Sequence, residues 1–129
     1  MQETKKIDAS SITNYEQAID FLGYENEASL LGVFHNATAL IAMEKLITIA
    51  EAWNKLDEFI PDFDNRNQVK WFPWFQKRGN AGFVCASTSA TASTAYADFG
   101  SRLCFSTSER AEQFGTMFID LWNEFLLQK

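Results

Sequence analysis

The feature that most constrains the fold is the spacing of apolar residues from Ala37 to Leu56. Apolar side chains recur there every three or four positions, so they share one side of an α-helix, whereas most charged side chains fall elsewhere. A helix with so long an apolar stripe must bury it against another layer of the domain. The apolar positions are Leu40, Met43, Leu46, Ile47, Ile49, Ala50, Trp53 and Leu56.

The same spacing predicts two more helices. The first begins at a capping box, in which Thr13 accepts a hydrogen bond from the Glu16 amide and the Glu16 side chain reaches back; it ends at Gly23. The last begins at a second capping box, Ser106 to Glu109, and carries a wide apolar stripe. That stripe consists of Ala111, Phe114, Met117, Phe118, Leu121, Trp122 and Phe125.

The segment between these helices has the composition of β-strands. An aromatic strand is predicted over 69–75, which contains KWFPWF, and further strands over 82–89 and 95–105. Gly79-Asn80 predicts the turn between the first two strands. Because Pro73 cannot donate a hydrogen bond to a ladder, the first strand should be an edge strand or contain a bulge.

The order α-α-β-β-β-α predicts an α+β fold, with about three helices packed on one face of a three- to four-stranded antiparallel sheet. With 129 residues, one domain is expected over 13–129, after a flexible N-terminus over 1–12. The tract 86–95 contains only Ala, Ser and Thr, and both a hairpin tip and an edge strand stay open for it. The predicted core is Leu46, Ile49, Trp53, Trp71, Phe83, Leu103, Phe105, Phe114, Phe118, Leu121 and Trp122.

The two sides of the aromatic strand are expected to differ. Alternation places Trp71, Pro73 and Phe75 on one side and Phe72 and Trp74 on the other. One side should fill the core, while the other should form an apolar patch that binds a partner. We expect Trp71 or Trp74 to lie on the side that meets the partner.

Charge is distributed unevenly along this acidic chain, whose net charge is −6. Twelve acidic and four basic residues occupy 1–64, whereas 65–108 holds five basic residues and one acidic residue. General affinity for nucleic acid is not expected, because binding to phosphates depends on many neutralised contacts. The basic segment still raises one alternative, a weak single-stranded nucleic-acid binder acting through 66–78. Bases would stack on Trp71 or Trp74, and the backbone would be contacted by Lys70, Lys77, Arg78 and Arg102.

The sequence predicts no catalytic residue, no metal site and no cofactor, and therefore no enzyme. Histidine-based sites need companions that the single histidine lacks, and the cysteines do not form a CxxC pair. A kinase-like DFG and a calcium-like acidic run both lack the residues that complete such sites. The side chains in question are His35, Cys85, Cys104, Asp62, Asp64, Asn65 and the tripeptide Asp98-Phe99-Gly100.

The first eleven residues lack a basic and then apolar leader, and no apolar run approaches the roughly 20 residues that span a bilayer. The chain is therefore expected to be a cytoplasmic protein with reduced cysteines and no contact with a membrane.

Five segments of the chain carry a resemblance to known proteins: EKLITIAEAWN, KWFPWF, GFVCAS, GSRLCFST and SERAEQFGTMFIDLWNEFL. Together they resemble a family of small proteins carried by phages, prophages and other mobile elements of gut Bacteroidetes. The resemblance covers roughly residues 40–127, and GSRLCF before a capped helix is its most specific part. The Ala/Ser/Thr tract replaces the strand that the family has before GSRLCF. The resemblance implies a phage-borne protein in a bacterial host, and it implies no enzymatic activity or catalytic residue.

We therefore expect a non-enzymatic module that binds a host or phage protein. The sharper hypothesis is an anti-CRISPR-like inhibitor of a host immune nuclease, in which carboxylates stand in for phosphates. The acidic contact residues would be Glu44, Glu51, Asp57 and Glu58. A virion or assembly component is an alternative, and a homodimer stays open.

Overall fold

The computed structural model describes residues 7–24, 36–65, 67–91 and 102–127. Within these ranges the fold is α+β, as predicted, but it holds four α-helices and a two-stranded antiparallel sheet instead of three helices on a larger sheet. The helices are α1 (Tyr15–Leu22), α2 (Ala37–Leu56), α3 (Ser108–Met117) and α4 (Ile119–Leu126); the strands are β1 (Lys70–Lys77) and β2 (Phe83–Thr91). Short 3₁₀ turns lie at Ala9–Ser11 and Gly79–Ala81.

The N-cap of α1 is Asn14, one residue later than predicted. The side chain of Asn14 accepts a hydrogen bond from the Gln17 amide (2.7 Å), and Gln17 Oε1 accepts one from the Thr13 amide (2.6 Å). The predicted end is correct: Gly23 adopts a left-handed conformation with φ of 75° and its amide donates to the carbonyl of Ile19. Glycine reaches this conformation without the steric cost that a Cβ brings.

The single C-terminal helix of the prediction is two helices. Thr107, not Ser106, caps α3 by accepting a hydrogen bond from the Arg110 amide at 3.1 Å. Between α3 and α4, Phe118 leaves the helical conformation with φ of −110° and ψ of 28°, and its side chain is buried. The apolar stripe runs through this bend, so the periodicity of the sequence does not reveal it.

The predicted third strand, 95–105, is not matched where it can be compared. Residues 92–101 lie outside the described parts of the chain. In the remainder, Phe105 forms an isolated antiparallel bridge with Trp71, with N–O distances of 2.9 and 2.6 Å. Leu103, Cys104 and Phe105 are all buried, so this stretch lacks the alternation of a strand with one exposed face.

The two strands pair from Lys70 opposite Thr91 to Lys77 opposite Phe83, with Gly79–Ala81 forming the predicted turn. The register shifts between Trp74 and Phe75, one residue after the proline that predicted an irregularity. The Ala/Ser/Thr tract belongs to β2 as far as Thr91, and its last residues lie outside the described ranges.

Trp53 lies at the centre of the core, fully buried. Eight predicted core residues are buried, whereas Trp71 and Leu121 are partly buried and pack against that core, and Phe83 is also only partly buried. Ala9 and Ile12 join the core, and Ile12 accepts a hydrogen bond from Trp53 Nε1 at 3.1 Å, so the packed part of the chain begins before Thr13. The eight are Leu46, Ile49, Trp53, Leu103, Phe105, Phe114, Phe118 and Trp122.

Helices α3 and α4 both contact the hairpin, while α2 packs against α1 and α4. Gly115 of α3 lies so close to the strands that a Cβ there would be 2.6 Å from Cys85 Sγ and 2.8 Å from Pro73 Cβ. On α4, Asn123 accepts from the Phe83 amide (2.7 Å) and donates to the Phe83 carbonyl (3.0 Å). The hairpin is thereby fixed to both C-terminal helices.

The two sides of β1 differ as expected at its centre, but both are used in packing. Pro73 is buried, and the ring of Phe75 lies 4.6 Å from that of Trp122. On the other side Phe72 is buried, whereas Trp74 is 51% exposed. Trp74 is therefore the aromatic residue of this strand that a partner can reach.

Candidate functional site

One side of α2 carries polar side chains, of which Glu51 is exposed, Glu44 partly buried and Thr48 buried. Glu44, Thr48 and Glu51 share this side because they are four and three positions apart. The Thr48 hydroxyl donates to Glu44 Oε1 at 3.1 Å. The Tyr24 hydroxyl donates to Glu51 Oε1 at 2.5 Å, and this hydrogen bond, aided by the glutamate charge, raises the pKa of Tyr24. The phenol therefore stays protonated and keeps Glu51 oriented.

A cavity of about 540 Å³ opens beside these side chains. It lies between the C-terminal end of α1 and the middle of α2, and Arg102 closes a third side. The cavity is lined by the carboxylates of Glu44 and Glu51 and by two tyrosines, together with aliphatic side chains. Its lining is Tyr15, Ile19, Gly23, Tyr24, Glu44, Ile47, Thr48, Glu51 and Arg102.

A second cavity, of about 470 Å³, continues along α2 toward the loop that follows the helix. Ile47, Glu51 and Arg102 line both cavities, so the two form one continuous depression. We call it the α2 groove. Its far end is more apolar, and Ile60 there is 81% exposed. The second lining is Ile47, Glu51, Asn54, Lys55, Phe59, Ile60, Pro61 and Arg102.

Two of the four predicted acidic contact residues, Glu44 and Glu51, line this groove. Asp57 does not, because Arg110 binds it with both Nε (2.8 Å) and a terminal nitrogen (3.2 Å). The Asp57 side chain is 17% exposed and is held by this ion pair, so the structure places it outside the groove. Glu58 is exposed with φ of 56° and is not part of the groove lining.

Asp57→Ala should reduce stability without affecting the groove. Removing the carboxylate leaves the partly buried Arg110 without a bidentate partner. We expect the free energy of unfolding, measured in urea, to fall by about 1.5–3 kcal/mol, the range for hydrogen bonds to charged groups. The matched control is Glu112→Ala, an exposed acid on α3, which should change stability by no more than about 0.5 kcal/mol. Equal stability of the two variants would show that Asp57 is an ordinary surface acid.

Lys70 is not available to a ligand, contrary to the prediction. Its side chain is fully buried, and its ammonium donates to the carbonyls of Gln68 (3.0 Å) and Asn65 (3.4 Å). It also lies 4.9 Å from the centre of the Phe63 ring, a cation–π distance.

Of the other residues of the 66–78 segment that were predicted to contact nucleic acid, one packs against the core and three are exposed. Trp71 packs against the core and bridges to Phe105. Trp74, Lys77 and Arg78 are exposed, so the nucleic-acid alternative retains one stacking ring and two cations on β1 and the turn after it.

The calcium-like run forms a hydrogen-bonded turn, in which Asp62 Oδ1 accepts from the Asp64 amide at 2.9 Å. In the parts of the chain that the structure describes, no three His, Cys, Asp or Glu side chains are grouped so as to hold a metal ion. His35 and the tripeptide 98–100 lie outside those parts.

The two cysteines are free thiols that burial makes less acidic. Burial raises the pKa of Cys104 to about 11 and also raises that of Cys85. Because folding favours the protonated Cys104, its contribution to stability is complete below the ordinary pKa of 9.0 and is lost as the pH rises toward 11. A thiol that stays protonated near neutral pH is a poor nucleophile.

Iodoacetamide at pH 7.5 should therefore label the partly buried Cys85 well before Cys104, which is 3% exposed. Peptide mass spectrometry over a time course measures both rates, and the same reaction in 8 M urea is the control, where the two rates should converge to about the same value. Equal labelling of both cysteines in the folded protein would contradict this account.

The sequence interpretation gave Arg102 a different role, as a contact for a nucleic-acid backbone. It missed Tyr24 and the far end of the groove, formed by Phe59, Ile60 and Pro61. The apolar pair before Pro61 was the available signal. Ile60 is 81% exposed, and a residue beyond the end of a helix belongs to no periodic pattern that predicts its exposure.

None of the helices in the described ranges combines the length and apolar character of a membrane span. Comparison with protein-family models, with curated proteins and with solved structures gave no match.

Proposed function

We propose that the chain is a non-enzymatic protein-binding module and that the α2 groove is its contact surface. The observation that carries this proposal is the continuity of the groove, in which the exposed Ile60 and the partly buried Ile47 and Phe59 lie among charged side chains. Protein interfaces likewise combine apolar contacts with polar ones. Neighbouring apolar side chains at the surface of a monomer are typical of a partner site.

The resemblance to phage-borne proteins supports a more specific form of the proposal, in which the partner is an immune nuclease in the cytoplasm of the bacterial host. Glu44 and Glu51 would then face basic groups that normally bind phosphates. Such contacts weaken as salt is added, because mobile ions screen exposed charges over about 8 Å at physiological ionic strength. A nuclease partner should therefore be released and reactivated by salt.

The test is affinity capture from a lysate of a gut Bacteroidetes host, read by quantitative mass spectrometry. Wild-type protein is compared with Ile60→Asp, with Glu51→Lys and with Glu112→Lys, a charge reversal on α3 away from the groove. We expect one or a few host proteins to be enriched by the wild type and by Glu112→Lys, and lost with both groove variants. Thermal unfolding of each variant verifies that its fold is retained.

A host protein retained equally by all four proteins would show that another surface makes the contact. Absence of any enriched protein would contradict the binding function itself. A separate cleavage assay tests whether the partner is a nuclease. The purified partner should cut its substrate less in the presence of stoichiometric wild-type protein. It should cut at its full rate in the presence of the Glu51→Lys variant. A partner without nuclease activity rejects the more specific form of the proposal and leaves the binding module standing.

A further inference from the structure

Charges of both signs line the α2 groove. Glu44 and Glu51 contribute two carboxylates, while Arg102 and Lys55 contribute two cations. Among the described residues, the ion pairs join Arg110 to Asp57 and to Asp8. None of the four charged groove side chains is therefore neutralised by an ion pair to another described residue.

These charges follow an order along the groove. The carboxylates lie on α2 seven residues apart, which is about 10 Å along a helix axis. Glu44 lines only the first cavity, while Glu51 and Arg102 both lie at the junction of the two. Lys55 lines only the second cavity, with its ammonium 5.6 Å from the centre of the Phe21 ring. The aliphatic end at Ile60 comes last.

A partner of a single charge sign fits this order poorly. A segment with only basic side chains would bury Arg102 beside charges of the same sign. A segment with only acidic side chains would bury Glu44 and Glu51 beside charges of the same sign. Burying a charge without a counter-charge is costly, and like charges brought together across an interface suppress binding. The lining therefore favours an occupant whose charges alternate in the complementary order.

We infer that the α2 groove binds a short peptide segment of mixed charge in its partner. A lysine or arginine of that segment lies between Glu44 and Glu51, a carboxylate contacts Arg102, and an aliphatic side chain packs beside Ile60. This inference rests on the proposed function and adds the chemistry of the segment that is recognised. The occupant is extended because it reaches from the Tyr24 end of the groove to the Ile60 end.

The experiment selects binders from a library of random decapeptides displayed on yeast, using the purified, labelled full chain. Sequencing of the selected pool gives the preference for each residue class. The wild type should enrich peptides that contain a basic, an acidic and an aliphatic residue. Glu44→Gln with Glu51→Gln should reduce the preference for Lys and Arg roughly fivefold, as expected for loss of exposed ion pairs.

Each other element of the groove has its own variant. Arg102→Gln should reduce the preference for Asp and Glu and leave the basic preference intact. Ile60→Ser should reduce the aliphatic preference alone. Glu112→Gln and Arg78→Gln remove an exposed charge of each sign outside the groove, and both should select the same peptides as the wild type.

Enrichment of peptides of one charge sign would overturn the inference, as would preferences that do not follow the variants. So would a selection without enriched peptides. In those cases, capture of a host protein that is lost with the Ile60→Asp variant would still support the proposed binding function. The groove would then contact a folded surface of the partner instead of a short segment. Loss of both results would reject the function as well.

Discussion

Replacing Trp53 with alanine is expected to lower the free energy of unfolding by about 3–5 kcal/mol, the range for truncation of a buried aromatic residue. Its ring is fully buried and meets Phe105, Phe114 and Phe118 edge-on, at centroid distances of 6.2, 5.3 and 5.7 Å. Urea unfolding followed by far-ultraviolet circular dichroism measures the loss. A typical domain is stable by only about 5–15 kcal/mol, so much of this variant should unfold in mild denaturant.

Two further variants separate the causes of this loss. Trp53→Phe keeps most of the ring contacts but removes the donor to the Ile12 carbonyl, and it should cost a smaller amount that includes about 1 kcal/mol for the hydrogen bond. Trp74→Ala truncates a tryptophan that is half exposed and should cost less than Trp53→Ala. Equal losses for Trp53→Ala and Trp74→Ala would contradict the central position of Trp53.

Gly115→Ala is expected to destabilise the protein by about 1–3 kcal/mol, the usual cost of overpacking. In an exposed helix the same change stabilises by about 1 kcal/mol, so the opposite sign here measures the steric conflict. The new methyl group would lie 2.6 Å from Cys85 Sγ and 2.8 Å from Pro73 Cβ, and the proline ring cannot rotate away. Urea unfolding again gives the difference.

The conflict can be tested by partial rescue. Cys85→Ala removes the nearer atom but leaves Pro73 in place, so in the Gly115→Ala background it should restore part of the lost stability. Thr116→Ala, at the next and exposed position of α3, should change stability by no more than about 0.5 kcal/mol. A Gly115→Ala protein as stable as the wild type would show that α3 can move away from the hairpin freely.

The positions of the helices could be predicted from sequence better than their ends. The apolar spacing placed α2 at 37–56, which are its bounds in the structure. Both N-caps lie one residue later than predicted, because two adjacent residues, Thr13 and Asn14 in one case, are both able to cap. The local sequence does not distinguish between two such neighbours.

The candidate site was less predictable, because exposure depends on distant parts of the chain. Lys70 stands beside aromatic residues like any surface lysine, yet carbonyls of the preceding loop surround its ammonium. Asp57 resembles Glu51 in sequence, and only the position of Arg110, 53 residues later, makes it structural. Arg102 reaches the groove because the chain after it enters the core at Leu103. No periodic pattern records such pairings.

The hydrogen bonds between Asn123 and Phe83 help to fix the register of the hairpin. Beyond Cys85, β2 offers a monotonous series of small side chains, and sliding it by two residues would match Ala, Ser and Thr with nearly identical neighbours. The Asn123 amide, 40 positions away, makes the two hydrogen bonds to Phe83 that a neighbouring strand would make, so it opposes such a slide together with the turn at Gly79–Ala81.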